Sequence, residues 1–182
     1  MFEAQEAKHV HNIAQLTKRW QRTHRLTAAA RRVLVNEITT LFEFKPGVVV
    51  VAEPLQPLSR QPVAELVDSS TYSKEELNAA IGHVIHILGL IVHYLGVKLP
   101  FVFFHKGISP YIRSASIRSR QQSRMPLFLD NKNLKRFTIG MAMLNYDIGY
   151  LCHTQGVDIP LHQIPNTLQG LMACCQSSGL GV

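Results

Sequence analysis

One stretch of this sequence, Ser73–Pro100, strongly constrains the fold, because it predicts a helix that is apolar on almost every side. Ser73, with Glu76 three residues later, has the spacing of a capping box, which marks the start of a helix. Apolar residues continue to Leu95, and a helix that is apolar all round is buried all round. Gly96 is the predicted C-cap, and Pro100 cannot continue the helix.

Glycines and histidines recur on neighbouring stripes of this helix, at Gly82, Gly89 and Gly96 and at His83, His86 and His93. A helical glycine costs about 1 kcal/mol relative to alanine, so three in register predict that another backbone packs closely. The segment offers no Cys, Asp or Glu to complete a tetrahedral metal site, so we predict a polar stripe that hydrogen-bonds to a sheet or loop, and no metal. The histidines also interrupt the roughly 20 apolar residues of a membrane span, which favours the core helix of a soluble domain.

Composition predicts one domain with an appendage, because 46% of the 182 residues are hydrophobic and 17% are charged. Its three cysteines lack CxxC spacing and include an adjacent pair, which is typical of free thiols in a reducing compartment. The polar N-terminus does not resemble a signal peptide, so we expect a cytoplasmic location. The cysteines are Cys152, Cys174 and Cys175.

The net charge of +7 predicts an anionic partner, and the charge is unevenly spread. No acidic residue occurs between Glu76 and Asp130. A phospholipid surface and a nucleic acid would both suit such a stretch, and a merely solvated basic loop is the alternative. The Lys and Arg residues of the stretch are Lys98, Lys106, Arg113, Arg118, Arg120 and Arg124.

Residues Phe2–Phe42 are predicted to form one long helix with a heptad-like apolar stripe, interrupted by Thr27. A lone amphipathic helix of this length cannot bury its stripe, so we favour a coiled coil that leads into a globular domain. The alternative is an ordinary first helix packed on its own domain. The residues predicted to bind a partner, called the helix seam below, are Ile13, Leu16, Trp20, Leu34, Ile38 and Leu41.

The remaining sequence alternates between predicted strands and helices, which predicts an α+β (or α/β) domain behind the coiled coil. The predicted boundaries are 1–44 for the N-terminal helix, 45–176 for the globular domain and 177–182 for a flexible tail. Further helices begin at Asn133 and at Pro165 or Asn166. The predicted strands are Val48–Val51, Val63–Val67, Phe101–Phe104, Tyr111–Arg113 and Met125–Leu129.

The phenylalanines after Pro100 allow two interpretations. They form a strand buried on both faces, or an aromatic tip that inserts into a membrane interface beside cations. Residues 114–124, rich in Ser and Arg, are predicted to form a flexible basic loop. The candidate membrane-binding residues are Phe101, Phe103, Phe104, Lys106, Arg113, Arg118, Arg120 and Arg124. A nucleic-acid module is the competing class, and it would need exposed aromatic side chains on a sheet face beside the basic loop.

No catalytic motif is present: the sequence has no GxSxG, P-loop, GxGxxG or HExxH pattern. Cys152 and His153 are adjacent in a predicted helix, so their side chains diverge and cannot act together as nucleophile and base. We therefore predict a binding or scaffolding protein without catalytic residues and without a cofactor.

Five segments, in order along the chain from Ile81 to Met172, resemble a known family. Ile81–His83 with Tyr94–Pro100, and His105–Ser109 with Ile112–Arg113, are similar to the core helix and HKGS stretch of UVRAG and its relatives. The other segments are Met125–Phe128, Phe137–Asn145 and Ile164–Leu168. These relatives are the coiled-coil subunits of class III phosphatidylinositol 3-kinase complexes, including the vacuolar-sorting subunit of fungi and Barkor, the autophagy-specific subunit.

The resemblance implies a BARA-like domain of strand–helix repeats, preceded by a coiled coil that pairs with a Beclin-type subunit. It also implies association with the class III phosphatidylinositol 3-kinase, with its regulatory kinase and with endosomal or autophagic membranes, and no nucleic-acid partner. The HKG and PN segments favour a UVRAG-like member, with a Barkor-like member as the alternative.

Overall fold

The computed structural model of the chain describes residues 2–42, 73–105, 107, 109–114 and 124–182. Helices frame one small sheet, so the described part is α+β, as predicted. The predicted strands at 48–51 and 63–67 lie outside the described residues. The elements are α1 (Phe2–Leu41), α2 (Lys74–Leu95), β1 (Phe101–Phe104), β2 (Tyr111–Ser114), β3 (Met125–Pro126), α3 (Leu134–Thr154), a 3-10 turn (Leu161–Gln163) and α4 (Thr167–Cys175).

Helix α2 begins and ends where the sequence predicted. Its capping box is complete: the backbone N–H of Glu76 donates to Ser73 Oγ at 3.2 Å, and the N–H of Ser73 donates to Glu76 Oε2 at 2.8 Å. Gly96 closes the helix in the left-handed region, with φ 67°. By length and composition alone α2 could cross a bilayer. It lies in the core instead, and seven of its residues are buried: Ile81, Val84, Ile85, Ile87, Leu88, Ile91 and Leu95.

The histidine stripe and the glycine stripe of α2 have different surroundings. The three histidines of the polar stripe are exposed, so they face solvent in the described structure. The glycine side faces β1 and the residue after it: a Cβ on Gly89 would lie 3.6 Å from the Phe103 ring, and one on Gly82 would lie 4.0 Å from His105 Nε2. Gly82 and Gly89 therefore make room for side chains that follow Pro100, whereas the sequence predicted a closely packed backbone, and Gly96 faces the Arg31 side chain.

The three strands form one antiparallel sheet in the order β1–β2–β3. Phe103 pairs with Ile112 and Phe104 pairs with Tyr111, so alternate residues face opposite sides of the sheet. The inner face packs on the core through Phe101, Phe103 and the fully buried Ile112. The predicted strand Met125–Leu129 is shorter than expected, because only Met125–Pro126 pairs with β2.

Helix α3 packs directly against the sheet. Gly140 lies against the β3 backbone, since a Cβ there would lie 2.4 Å from the Pro126 carbonyl oxygen. Further along α3, Leu144 and Leu151 are fully buried. The carboxylate of Asp147 accepts a 3.0 Å hydrogen bond from the Phe101 N–H, which fixes the start of β1 on α3.

The last residues differ from the predicted flexible tail, because residues 177–182 pack against α1. Leu180 is 1% exposed. Arg32 Nη2 donates to the Ser178 carbonyl at 2.6 Å, and the Gly181 N–H donates to Gln155 Oε1 at 2.8 Å. A Cβ on Gly181, whose φ is +86°, would lie 2.6 Å from the Ala28 carbonyl oxygen. Close backbone contact with α1 therefore requires glycine here.

Candidate partner-binding and membrane-binding surfaces

Helix α1 has two stripes of mainly apolar residues with different surroundings. One stripe, called the anchoring stripe below, contacts the rest of the chain, and its spacing alternates between three and four residues. Val35 is 0% and Ile38 is 3% exposed within it. The anchoring stripe consists of Ala28, Arg31, Val35, Ile38 and Phe42. Its burial attaches the C-terminal third of α1 to the globular part.

The helix seam lies beside the anchoring stripe and is solvent-exposed. Ile13, Leu16 and Trp20 are 63%, 62% and 65% exposed, and side chains 9–23 of α1 are exposed throughout. Leu34 and Leu41 continue the seam alongside the globular part, at 41% and 77% exposure. The described chain therefore leaves five of the six predicted seam residues available to a second protein.

Ile38 is the exception and corrects the prediction. Its side chain lies in the chain's own core, so it anchors α1 and is not available to a partner helix. The physical reason is position: Ile38 is on the stripe next to the seam, and this stripe faces the globular part where α1 meets it.

The heptad pattern predicted from the sequence does not include three exposed apolar residues of α1. Val10, Leu26 and Val33 are 62%, 63% and 58% exposed. Leu26 and Val33 stand seven residues apart, each directly before a heptad position (Thr27 and Leu34). This second period could have revealed that the apolar surface widens towards the globular part.

A second candidate surface is the solvent side of the sheet, called the outer sheet face below. It carries Val102, Phe104, Tyr111 and Arg113, which alternate with the core-facing residues of β1 and β2. The Phe104 and Tyr111 rings stack at 4.8 Å between centroids, with 16° between their planes. Val102 is 38% exposed, so this face is not covered by another layer of the described chain at that position.

Each ring of this pair has a guanidinium over it. Arg113 Cζ lies 4.9 Å from the Phe104 centroid, and Arg124 Cζ lies 5.0 Å from the Tyr111 centroid. Such cation–π contacts hold the two charges at the sheet surface. The outer sheet face therefore combines apolar rings with fixed positive charge.

The predicted membrane-binding residues do not lie together on one face of the sheet. Phe101 and Phe103 are on the inner face and pack against the core, so they differ from the membrane-inserting prediction. The alternation of side chains, with α2 and α3 on one side only, explains why the three phenylalanines do not act together. Phe104, Arg113 and Arg124 meet on the outer sheet face. Lys106, Arg118 and Arg120 lie outside the described residues.

Asp147 is a buried carboxyl whose pKa departs strongly from that of a surface carboxylate. It is 0% exposed, and its Oδ2 has no hydrogen-bond partner among the described residues. Burial raises the pKa of Asp147 to about 7, against the smaller lowering effect of the Phe101 N–H. This carboxyl is enclosed and has a structural role at the start of β1.

The described residues contain no group of three side chains that could hold a metal ion. All three cysteines are free and buried, and Cys152 Sγ donates to the Gly170 carbonyl at 3.2 Å. Burial raises the pKa of the Cys175 thiol to about 12. His153 is exposed and pairs with Asp158 at 3.2 Å, while the neighbouring Cys152 is fully buried. The two side chains therefore diverge, as predicted.

Comparisons with known proteins identify similarity over most of the chain. A family model, "Vacuolar sorting 38 and autophagy-related subunit 14", matches residues 3–177. The "Autophagy-related protein 14" of Gibberella zeae is 24% identical in an alignment of 136 residues, and the match covers 54% of this chain and 30% of that relative. The chain thus spans under a third of the relative's length. No solved structure matches the chain.

These findings bear on the two subfamilies that the sequence left open. The family description covers both a vacuolar-sorting and an autophagy-related subunit, and the relative is an autophagy-related one. They support the autophagy-specific, Barkor-like alternative better than the UVRAG-like assignment that the sequence favoured, and the UVRAG-like assignment is not supported.

Proposed function

Because the chain belongs to the "Vacuolar sorting 38 and autophagy-related subunit 14" family, we propose that it is a non-catalytic regulatory subunit of a class III phosphatidylinositol 3-kinase complex. We place it with the autophagy-specific members, and we propose that it acts at autophagic membranes. Its globular part is proposed to be BARA-like. After residue 100 three short strands are followed by two helices, an order that is compatible with one strand–helix unit of that architecture.

The single observation that carries this proposal is the exposed helix seam. A fully buried Leu, Ile or Phe side chain contributes about 1.5–3 kcal/mol relative to an exposed one. Ile13, Leu16 and Trp20 therefore leave several kcal/mol of burial unrealised while α1 has no partner. We propose that a Beclin-type coiled-coil subunit covers them, and that this pairing connects the chain to the kinase and its regulatory kinase.

Co-purification of the full chain with a Beclin coiled-coil fragment tests this pairing. The double variant Leu16→Asp/Trp20→Asp places two charges in the seam, and we expect it to abolish co-purification. The matched control, Gln15→Asp/Gln21→Asp, adds the same charges to exposed positions outside the seam and should co-purify normally. Equal helicity by circular dichroism would show that both variants are folded. A seam variant that still co-purifies would contradict the proposal.

We also propose that the outer sheet face contacts an anionic membrane. Phe104 and Tyr111 offer apolar rings, and Arg113 and Arg124 hold positive charge directly over them. Each basic residue near an anionic bilayer contributes about 1 kcal/mol, so a few residues matter only when they face the same way. The sequence between β2 and β3 also contains Arg118 and Arg120.

Flotation of the chain with phosphatidylserine-containing vesicles tests the membrane contact. The triple variant Arg118→Glu/Arg120→Glu/Arg124→Glu should no longer float. The control Lys18→Glu/Arg22→Glu/Arg25→Glu makes the same change in net charge on α1 and should retain flotation. Unchanged flotation of the first variant would remove this surface from the mechanism. Salt-sensitive binding to single-stranded RNA without vesicle binding would support the nucleic-acid alternative instead.

A further inference from the structure

We infer that the solvent side of helix α3 pairs with the same surface of a second copy of the chain, with the two helices antiparallel. The inference is independent of the proposed partner of α1, because α3 shares no residue with the helix seam. The surface, called the α3 face below, consists of exposed and half-buried residues on one side of the helix. They are Ile139, Ala142, Met143, Tyr146, Gly149 and Tyr150.

The α3 face is uncharged although it lies in solvent. Ile139, Tyr146 and Tyr150 are 48%, 55% and 39% exposed. Residues 137–152 include one charged residue, Asp147, and its side chain is buried on the other side of α3. A contiguous apolar patch on a protein surface marks an interaction site, and tyrosine is enriched at such sites. The α3 face therefore has the composition of an interface.

Gly149 is a second observation that the chain's own packing does not explain. Glycine inside a helix is less stable than alanine. Gly140 is required by its contact with the Pro126 carbonyl, but nothing described lies within 4 Å of a Cβ at Gly149. The glycine leaves a hole in the α3 face beside Tyr146, which a large side chain of a second helix can enter.

Large and small residues alternate along the α3 face in a way that fits an antiparallel copy. Ile139 and Tyr146 stand seven residues apart, and Ala142 and Gly149 follow each of them by three, which is heptad spacing. In a parallel pair each residue faces its own copy, so tyrosine meets tyrosine and glycine meets glycine. In an antiparallel pair Tyr146 can face Ala142 of the second copy while Ile139 faces its Gly149. Close packing of large against small residues therefore favours the antiparallel pair.

The charges at the two ends of the α3 face select the same arrangement. Exposed Lys135 lies one heptad before Ala142, in a first turn that contains no acidic residue. At the other end His153 lies one heptad after Tyr146, and its Nδ1 is 3.2 Å from Oδ1 of the exposed Asp158. An antiparallel pair that sets Tyr146 against Ala142 also sets Lys135 of each copy beside Asp158 of the other. A parallel pair would bring like charges together, which is destabilising.

A two-fold axis perpendicular to α3 relates the two copies, so every contact occurs twice. The paired stretch, residues 135–153, is about 27 Å long at the rise of an α-helix. Two helices at the usual separation of about 8–10 Å bury less over this length than a standard interface of about 1,600 Å². We therefore expect a weak dimer, with a dissociation constant in the micromolar range.

Sedimentation velocity of the full chain over a wide range of micromolar concentrations tests the inference and should show a monomer–dimer equilibrium. Ile139→Asp/Tyr146→Asp should raise the dissociation constant by about tenfold or more, because it places charges in the apolar contact. The matched control Leu16→Asp/Trp20→Asp adds the same charges to the helix seam and should leave the dimer unchanged. A chain that stays monomeric at every concentration, or a dimer that only the control variant dissociates, would overturn the inference.

A charge exchange tests the antiparallel arrangement. Lys135→Glu and Asp158→Lys, made separately, should each weaken the dimer on the order of three- to tenfold, because each sets like charges against one another twice. The double variant restores opposite charges between the copies and should regain the natural affinity. These differences should shrink at high salt, which screens exposed charge pairs. A double variant no tighter than the single ones would show that these ends do not meet and would overturn the inference.

Gly149→Met separates a role in pairing from a role in the fold. Within its own chain the added side chain meets open space, and methionine is a better helix former than glycine, so the monomer should unfold at a higher urea concentration. The same side chain fills the hole that Ile139 of the second copy enters, so the dimer should weaken. A variant that dimerises as tightly as the natural chain would overturn the inference.

Discussion

At the scale of single residues, Asp147 couples the stability of the fold to pH. In the unfolded chain an aspartate titrates near pH 4, whereas burial raises the pKa of Asp147 to about 7. The folded chain therefore binds an extra proton between these values. The stabilisation is fully present below pH 4 and is lost as pH rises through 7, which is a fall of about 4 kcal/mol at most.

The variant Asp147→Asn removes this titration and keeps an oxygen that accepts from the Phe101 N–H. We expect the free energy of unfolding of the natural chain to fall between pH 5 and pH 8, and the fall to be much smaller in the variant. Urea unfolding at four pH values measures it. Asp130→Asn, at an exposed carboxylate, is the control and should keep the natural slope. An unchanged slope in Asp147→Asn would contradict this assignment.

At the scale of elements, the contact between α3 and β3 depends on a glycine. A Cβ on Gly140 would lie 2.4 Å from the backbone oxygen of Pro126, and neither backbone can move freely. We expect Gly140→Ala to destabilise the fold by about 1–3 kcal/mol, as overpacking does. A thermal unfolding midpoint lowered by several degrees is the measurable result.

The same helix supplies a matched control for that substitution. Nothing described lies within 4 Å of a Cβ on Gly149. Gly149→Ala should therefore stabilise the fold by about 0.5–1 kcal/mol, because alanine loses less backbone entropy in a helix than glycine. Equal changes in the two variants would show that helix propensity, and not contact with β3, decides both.

The elements themselves were largely predictable because their signals are local. The capping box at Ser73, the C-cap at Gly96 and the alternation after Pro100 each involve residues close in sequence. The burial of Leu180 was not predictable, since it depends on α1, which is about 150 residues earlier. Likewise, alternation separates Phe103 from Phe104, but only the position of α2 and α3 decides which ring packs against the core.

At the scale of the whole molecule, the long helix α1 packs on its own domain and, in the proposed function, also binds a second protein. A heptad period in the sequence shows that α1 has an apolar stripe, but Ile38 and Leu41 both fit such a pattern. The structure separates them, because Ile38 is 3% and Leu41 is 77% exposed. The location of the partner site on α1 stays a prediction, and burial in the chain's own core removes Ile38 from it.

The variants Ile38→Ala and Leu41→Ala test the difference between the buried and the exposed residue with two measurements. Truncating buried Ile38 should cost the isolated chain about 2–5 kcal/mol in urea unfolding, whereas truncating exposed Leu41 should change its stability by less than about 0.5 kcal/mol. Among variants that are folded, Leu41→Ala should lower the affinity for the Beclin coiled-coil fragment more than Ile38→Ala does. The reason is that the Leu41 side chain is exposed on the seam and the Ile38 side chain is buried. If Leu41→Ala binds as well as the natural chain, the partner does not reach the globular part. If both variants lose stability equally, the seam is not free along this part of α1, and α1 serves its own domain alone there.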